Sequence, residues 1–147
     1  MKFEVKKLIR FHHCDPAGIV FYPQFFYLLH EVQEDFLTHI GHAEHEMIAR
    51  GIGVPIVDLK TGFVGMCRFG DEVIISLSLF RLGTSSIGMH YEIHSDSGNT
   101  DKGHSLKLHA KAVVVYSQLV QGKALEIPAP LRAALQPYLE TQLEDKA

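Results

Sequence analysis

The chain has 147 residues, 46% hydrophobic and 21% charged, with mean hydropathy near zero, which predicts one domain over residues 1–147 around one core. Fourteen Lys and Arg against seventeen Asp and Glu leave a net charge of -3, so no overall cationic field favours nucleic acid as a partner. Two cysteines, Cys14 and Cys67, suit a reducing, cytoplasmic setting better than a disulfide framework or a four-ligand zinc site, and no apolar run or leader-like segment calls for a membrane.

Phe3, Val5, Ile9 and Phe11 fall on odd positions and Glu4, Lys6 and Arg10 on even ones. That alternation predicts a strand with one buried face, broken at Lys7 and Leu8. Asp15, Pro16 and Gly18 then take the first, second and fourth places of a type I turn, so the strand should end within residues 12–18. Pro23 suits the first position of a helix. After it Phe25, Leu28, Leu29, Val32, Phe36 and Ile40 recur at steps of three and four, with Gly41 as the natural stop. Residues 42–50 suit a short second helix. Residues 54–69 carry apolar side chains at both parities, with Gly62 and Gly65 among them, which predicts one long strand bent at a bulge or two short ones. Three clean alternations follow: Val73, Ile75, Leu77 and Leu79; Ile87, Met89, Tyr91 and Ile93; Leu106, Leu108, Ala110, Ala112, Val114 and Tyr116. Short turn-rich links, including residues 95–103, should make neighbours pair antiparallel as a meander. Residues 131–143 predict a terminal helix.

Strand, long helix and then about four strands describe an α+β chain with a single long helix to cover a five- or six-stranded antiparallel sheet. A right-handed twist lets such a sheet curl around the helix, which is the hotdog fold. A βαββαβ arrangement needs a second helix between the later strands, and no stretch from Val73 to Tyr116 has the period for one.

The candidate chemistry lies where strand gives way to helix. A helix starting near Pro23 leaves its first N–H groups unpaired and carries about half a positive charge at that end, where a carbonyl oxygen becoming an oxyanion can be held. Asp15 lies on the loop feeding this end, and Gly18 lets a ligand approach the backbone closely. An ionised carboxylate can attack an acyl carbon or take a proton from water, so acyl transfer to water suits these parts. Asp-Pro-Ala-Gly is equally the composition of a purely structural turn, and the residues alone leave both readings open.

The ungapped run from Phe11 to Phe26, which contains Asp15-Pro16-Ala17-Gly18-Ile19-Val20-Phe21-Tyr22-Pro23, resembles the signature of the 4-hydroxybenzoyl-CoA thioesterase family of hotdog acyl-CoA thioesterases. A fainter likeness continues through Gly53-Val54-Pro55-Ile56-Val57, Phe69-Gly70-Asp71-Glu72-Val73 and Ala124-Leu125-Glu126-Ile127-Pro128. The resemblance implies hydrolysis of an acyl-CoA substrate with no metal and no cofactor. It assigns Asp15 as nucleophile or general base, the backbone N–H of Tyr22 as the group that polarises the carbonyl, and Gly18 as the loop glycine. Many relatives have Asp-x-Asp where this chain has His13-Cys14-Asp15. An acidic residue of 4-hydroxybenzoyl-specific relatives corresponds to His30, and their basic CoA-phosphate cluster corresponds to Gly83-Thr84-Ser85-Ser86. His30, Thr84 and Ser85 are therefore substrate-binding candidates, Phe25 is a fourth, and the acyl group stays open. Phe25 or Phe26 belongs either to the core or to the wall of an acyl pocket.

Arg81, Lys107 and Lys111 either contact the nucleotide or are solvated surface. His39, His42 and His45 are spaced for a metal, but Gly41 interrupts them and favours surface or packing roles. Cys14 as a nucleophile is disfavoured by the neighbouring negative charge. Two other functions stay open: a hotdog dehydratase or hydratase, needing a histidine such as His13 to face a carboxylate across a subunit interface, and a non-catalytic acyl-binding module. Ser86, Gly88 and His90 alternate with little bulk on the outer face of the sheet. They predict self-pairing into a homodimer or a homotetramer built as a dimer of dimers, with each site made from two chains.

Overall fold

A computed structural model describes residues 1–96 and 105–141 of the chain. In β1 (Phe3–Leu8) the alternation runs unbroken, with Lys7 on the inner face and Leu8 on the outer one. An inward lysine is tolerated because its ammonium reaches Glu31 Oε2 at 3.1 Å while its stem covers apolar surface. Ile9 continues the inner face and is fully buried. Phe11 does not: the chain turns into a 3-10 helix at Phe11–His13, leaving Phe11 exposed with its ring edge against Phe69.

The long helix α1 (Tyr22–His39) buries Phe25, Leu28, Leu29, Val32, Gln33, Phe36 and Leu37, the stripe that the spacing of three and four requires. The short helix α2 (Glu44–Ala49) follows and buries Met47. The remaining strands are β2 (Ile52–Gly53), β3 (Ile56–Phe63), β4 (Glu72–Leu82), β5 (Ser86–Ser95), β6 (Leu106–Val115), β7 (Ser117–Gln118) and β8 (Lys123–Ala124). Five of them form the main sheet in the order β1-β4-β5-β6-β3, every neighbour antiparallel. Its inner face presents the predicted alternations: Val73 to Leu79 on β4, Ile87 to Ile93 on β5 and Leu108 to Val114 on β6 are buried at every second residue. They meet the α1 stripe in one core. This is the α+β hotdog arrangement, with one long helix held by a five-stranded sheet. None of the described helices is long and apolar enough to cross a membrane.

The mixed parity of residues 54–69 has two causes. The β3–β6 register shifts between Ile56 and Asp58, a bulge that re-aims the strand, and the strand ends at Phe63. Residues 64–69 are a loop that returns to the entry of α1, where Val20 N–H donates to Cys67 O at 2.9 Å and Phe69 N–H to Gly18 O at 3.1 Å.

At the C-terminal end α3 (Ala129–Leu135) begins earlier than the apolar spacing suggests, because Pro130 fits its first turn. The chain tightens into a 3-10 turn at Gln136–Tyr138, where Pro137 has no N–H to continue an α-helix, and Tyr138 sets its ring edge-on to Phe36 at 4.8 Å. Residues 142–143 of the expected helix, and residues 97–103 of the expected link, lie outside the described residues.

The outer face of the sheet, where Ser86, Gly88 and His90 predict self-pairing, is partly covered by the chain itself. A Cβ on Gly88 would lie 2.7 Å from Phe80 Cζ. Glu140 crosses the same face, accepting from Ser78 Oγ at 2.7 Å and pairing with His90 Nδ1 at 2.6 Å. Burial pushes the Glu140 carboxyl up, but the His90 and Ser78 hydrogen bonds and the His90 and Lys111 charges outweigh it and hold it below its ordinary 4.5. A depressed folded value stabilises the fold fully above the ordinary value, and that stability disappears as pH falls through the folded one. Glu140→Gln should therefore cost about 1.5–3 kcal/mol at neutral pH, the range for hydrogen bonds to a charged group. In urea denaturation the difference from the parent should shrink below pH 4.5.

Candidate active site

Four backbone bonds turn the loop ahead of α1 into a rigid staple. Asp15 N–H donates to Ile19 O at 3.0 Å and Phe21 N–H to His13 O at 3.0 Å, while the Val20 and Phe69 amides bind the returning loop as described. Short bridges join Cys14 to Val20 and Ile19 to Arg68. Asp15 is thereby fixed relative to the start of the helix.

Inside the staple, Gly18 N–H donates to Asp15 O at 2.9 Å and closes the turn, and Ala17 N–H donates to Asp15 Oδ1 at 2.8 Å. The turn occupies one carboxylate oxygen; among the described residues nothing bonds Oδ2. Gly18 has φ 80°, and a Cβ there would meet nothing within 4 Å. Its side of the loop is open, and the left-handed backbone is what demands glycine.

Helix α1 starts at Tyr22, one residue before Pro23, with Phe21 extended ahead of it and giving no side-chain cap. Gln24 N–H returns to Phe21 O at 2.8 Å, and Pro23 has no N–H. Among the described residues the Tyr22 N–H has no acceptor, so it is a free donor at the positive end of the helix.

His13 is buried. Its Nδ1 accepts from Arg10 N–H at 2.8 Å, which puts the proton of the neutral ring on Nε2, and the ring lies tilted against that of His12 with centroids 4.1 Å apart. Burial, then the His12, Arg10 and Lys7 charges against an opposing Glu31, hold its pKa below the ordinary imidazole value. Burial, followed by the Asp15 and Asp71 carboxylates, pushes the Cys14 thiol up, which disfavours a thiolate nucleophile.

His30 lies about 12 Å along α1 from Tyr22 at 1.5 Å per residue. It stands between two carboxylates, with Nε2 3.3 Å from Glu44 Oε2 and Nδ1 3.6 Å from Glu34 Oε2, and Glu44 also accepts from Gln33 Nε2 at 2.6 Å. These three residues form the metal-ligand type of cluster found among the described residues; His39, His42 and His45 do not, and His39 packs on Phe3. His30 borders a cavity of about 220 Å³ between α1 and the sheet, with Phe26, Leu29 and Gln33 on one wall and Ile56, Leu59 and Tyr91 on the other. Burial pushes the Tyr91 phenol far up, so that wall stays neutral. Phe25 sits in the core, and its neighbour Phe26 is the aromatic that faces the cavity. Both rings, with Tyr22, surround Phe63.

Thr84 and Ser85 are in the β4–β5 hairpin, where Arg132 binds the Gly83 and Thr84 carbonyls. That hairpin and the Asp15 loop are at opposite ends of the 11-residue strand β4, roughly 33 Å apart along it at 3.3 Å per residue. One chain brings Asp15, Gly18 and Tyr22 together, with His30 on the same helix, and leaves Thr84 and Ser85 remote. Glu44, Gln33, Ile56, Leu59 and Tyr91 escaped the sequence reading because they converge only through tertiary packing. For Ile56 and Leu59 the trace was the apolar, mixed-parity run at residues 54–69, and for Tyr91 its place in the alternation from Ile87 to Ile93.

Residues 9–135 match the thioesterase-like superfamily. The chain is 25% identical over 133 residues to a 1,4-dihydroxy-2-naphthoyl-CoA hydrolase of Thermosynechococcus vestitus, covering 90% of this chain and 87% of that one. It is 23% identical to a 4-hydroxybenzoyl-CoA thioesterase of a Pseudomonas species, over 85% of this chain and 91% of that one. A solved gentisyl-coenzyme A thioesterase superposes with a TM-score of 0.77 at 27% identity, over 91% of this chain and 99% of that one.

Because Gly18 meets open space but needs a left-handed backbone, Gly18→Ala should strain the staple without a clash. The expected loss is about 1–2 kcal/mol, the cost of that conformation for an L side chain, read as a lower urea midpoint with an unchanged slope.

Proposed function

The chain belongs to the thioesterase-like superfamily, and on that premise we propose that it cleaves a hydroxylated aryl-CoA thioester to the free acid and CoA. The observation that carries this reading is the unaccepted Tyr22 N–H at the head of an 18-residue helix, beside a loop whose Asp15 keeps one oxygen unbonded. The thioester carbonyl oxygen accepts from Tyr22 N–H, and bare Gly18 leaves room for the acyl-sulfur group against the loop. Charge that grows on that oxygen as the carbon becomes tetrahedral is met by the donor and the helix end.

Asp15 Oδ2 then acts in one of two ways. It attacks the carbonyl carbon, the C–S bond breaks, CoA thiolate leaves, and water opens the resulting mixed anhydride. Otherwise it takes a proton from water as that water attacks the carbon, and the thiolate leaves and is protonated by solvent. Neither course needs a metal or a cofactor. The cavity beyond supports an aromatic acyl group: Phe26, backed by Phe25, offers a ring face, and His30 and Gln33 offer polar atoms to a hydroxyl on the far side. Both curated relatives carry hydroxyaryl acyl groups in their names. The unpaired thiols of Cys14 and Cys67 are in keeping with a reducing, cytoplasmic setting.

A homodimer, alone or doubled into a tetramer, belongs to the same reading. β3 ends the sheet with one edge unpaired among the described residues, and Ile56, Val57, Leu59 and Phe63 along it are between 41% and 62% exposed. Apolar open edges invite a second strand. Ile56 and Leu59 also wall the acyl cavity, so a copy laid along this edge closes it, and Thr84 and Ser85 join a site only through that second chain.

Asp15→Asn keeps an oxygen for the Ala17 N–H and removes only the charge. Turnover of a hydroxyaryl-CoA, followed by thiol release, should fall about 100-fold or more, with Tm moving by less than about 3 °C; near-native turnover would refute the role. Leu59→Arg should shift sedimentation from dimer to monomer and reduce activity together. A dimer that survives the charge would place the contact elsewhere.

A further inference from the structure

His13 is only 6% exposed, and the reaction proposed above makes no use of its ring. Both parts of the residue are engaged in structure. The side chain bonds backward: Nδ1 accepts the N–H of Arg10 at 2.8 Å, the N-cap residue of the 3-10 helix Phe11–His13. The backbone bonds forward: the His13 carbonyl accepts the Phe21 N–H at 3.0 Å, one residue before the Tyr22 donor. Cys14 and then Asp15 follow it directly. His13 therefore ties the end of the first strand to the Asp15 turn along the chain and to the head of α1 across it.

The bond to Arg10 imposes a protonation state. A ring nitrogen can accept an N–H only while it carries no proton, and an imidazolium carries one on both nitrogens. Protonation would set Nδ1–H against the Arg10 N–H, donor against donor, and would place a charge on a buried ring. The groups bearing on that ring are His12 beside it, Arg10 and Lys7 from β1 and Glu31 from α1. Of these Glu31 alone favours the charged form, and Lys7 Nζ holds its carboxylate at 3.1 Å. Lys6 borders the same hollow of about 380 Å³, through which solvent reaches this part of the staple.

We propose that His13 is a positioning residue, which keeps the Asp15 carboxylate and the Tyr22 N–H in register only while its ring is neutral. The inference rests on the thioesterase reading and adds an acid switch to it. As pH falls, Nδ1 takes a proton from solvent, the Arg10 bond is lost, and the 3-10 turn that carries the His13 carbonyl loosens under Phe21. The sign follows from burial, which leads the causes holding the folded pKa below the ordinary 6.5. The contribution of the neutral ring is complete above that ordinary value and disappears as pH falls through the folded one. Asparagine should give the same hold without the switch, because its Oδ1 is bonded to Cγ as Nδ1 is in histidine, and it accepts without titrating.

The test follows cleavage of a hydroxyaryl-CoA, by loss of thioester absorbance, in the parent, His13→Asn and His13→Leu. In the parent kcat should decline along an acid limb centred below 6.5, with KM steady. His13→Asn should keep most of the parent's kcat at neutral pH and move the limb below about pH 5, where carboxylates titrate. His13→Leu, with no acceptor, should lose kcat by about tenfold to 100-fold at neutral pH, the scale of a misplaced reacting group. By NMR the parent's His13 ring should carry its proton on Nε2 when neutral and titrate with the midpoint of the kcat limb, and the Arg10 and Phe21 amide shifts should move with it. An acid limb unchanged in His13→Asn, a parent-like kcat in His13→Leu, or a neutral ring protonated on Nδ1 would overturn the assignment. Should His13→Leu not fold, the asparagine variant and the ring titration decide alone. If the parent cleaves no acyl-CoA, the thioesterase reading fails, and the ring and amide titrations still decide whether the switch exists.

Discussion

Burial of α1 inside the curl of the sheet is the constraint on which the remaining features depend. The helix turns Phe25, Leu28, Leu29, Val32, Phe36 and Leu37 toward the alternating residues of β4, β5 and β6, and these side chains form one continuous cluster. Removing that much apolar surface from water is worth about 25 cal/mol per Å², and the burial also fixes the axial position of the helix. Its N-terminus can therefore end only at the staple formed by residues 13–21 and 67–69, and the free Tyr22 donor has one place to point. Tyr138 on Phe36 and Phe63 among Tyr22, Phe25 and Phe26 hold the same helix near its two ends.

Because α1 is held along its length, its two flanks do different work. One flank, through Phe26, Leu29, His30 and Gln33, faces the edge strand β3 across an apolar cavity. The other, through Leu28 and Glu31, faces the cationic edge at β1.

What the sequence disclosed and what it withheld follow from how far apart the relevant residues are along the chain. Asp15, Gly18 and Tyr22 lie within eight positions, so turn chemistry and a helix start suffice to group them. The three clean alternations are legible because each strand of the meander has a single buried face. Lys7 looked like a break in the first strand, although a lysine can sit inside when Glu31, 24 positions later, meets it; no local pattern records that. Phe25 and Phe26 differ by a 100° step around the helix, too fine for spacing alone to settle which one faces the cavity. The covering of the outer face by Glu140, 50 positions from His90, is likewise invisible to period and composition, as are Ile56 and Leu59, whose parity the bulge conceals.

The two roles open to Asp15, turn former and proposed catalyst, are compatible once its two oxygens are considered separately. An Asp in a turn has its χ angles set by the backbone donor it binds, here Ala17 N–H to Oδ1, so Oδ2 projects in a fixed direction. Holding a reacting group in place is itself a large part of rate acceleration. A carboxylate swinging freely on an exposed loop would lose that advantage, and one with both oxygens bonded would lose its reactivity. On the reading proposed above, the composition Asp-Pro-Ala-Gly serves the turn and the chemistry together, and the structural role is a condition of the chemical one.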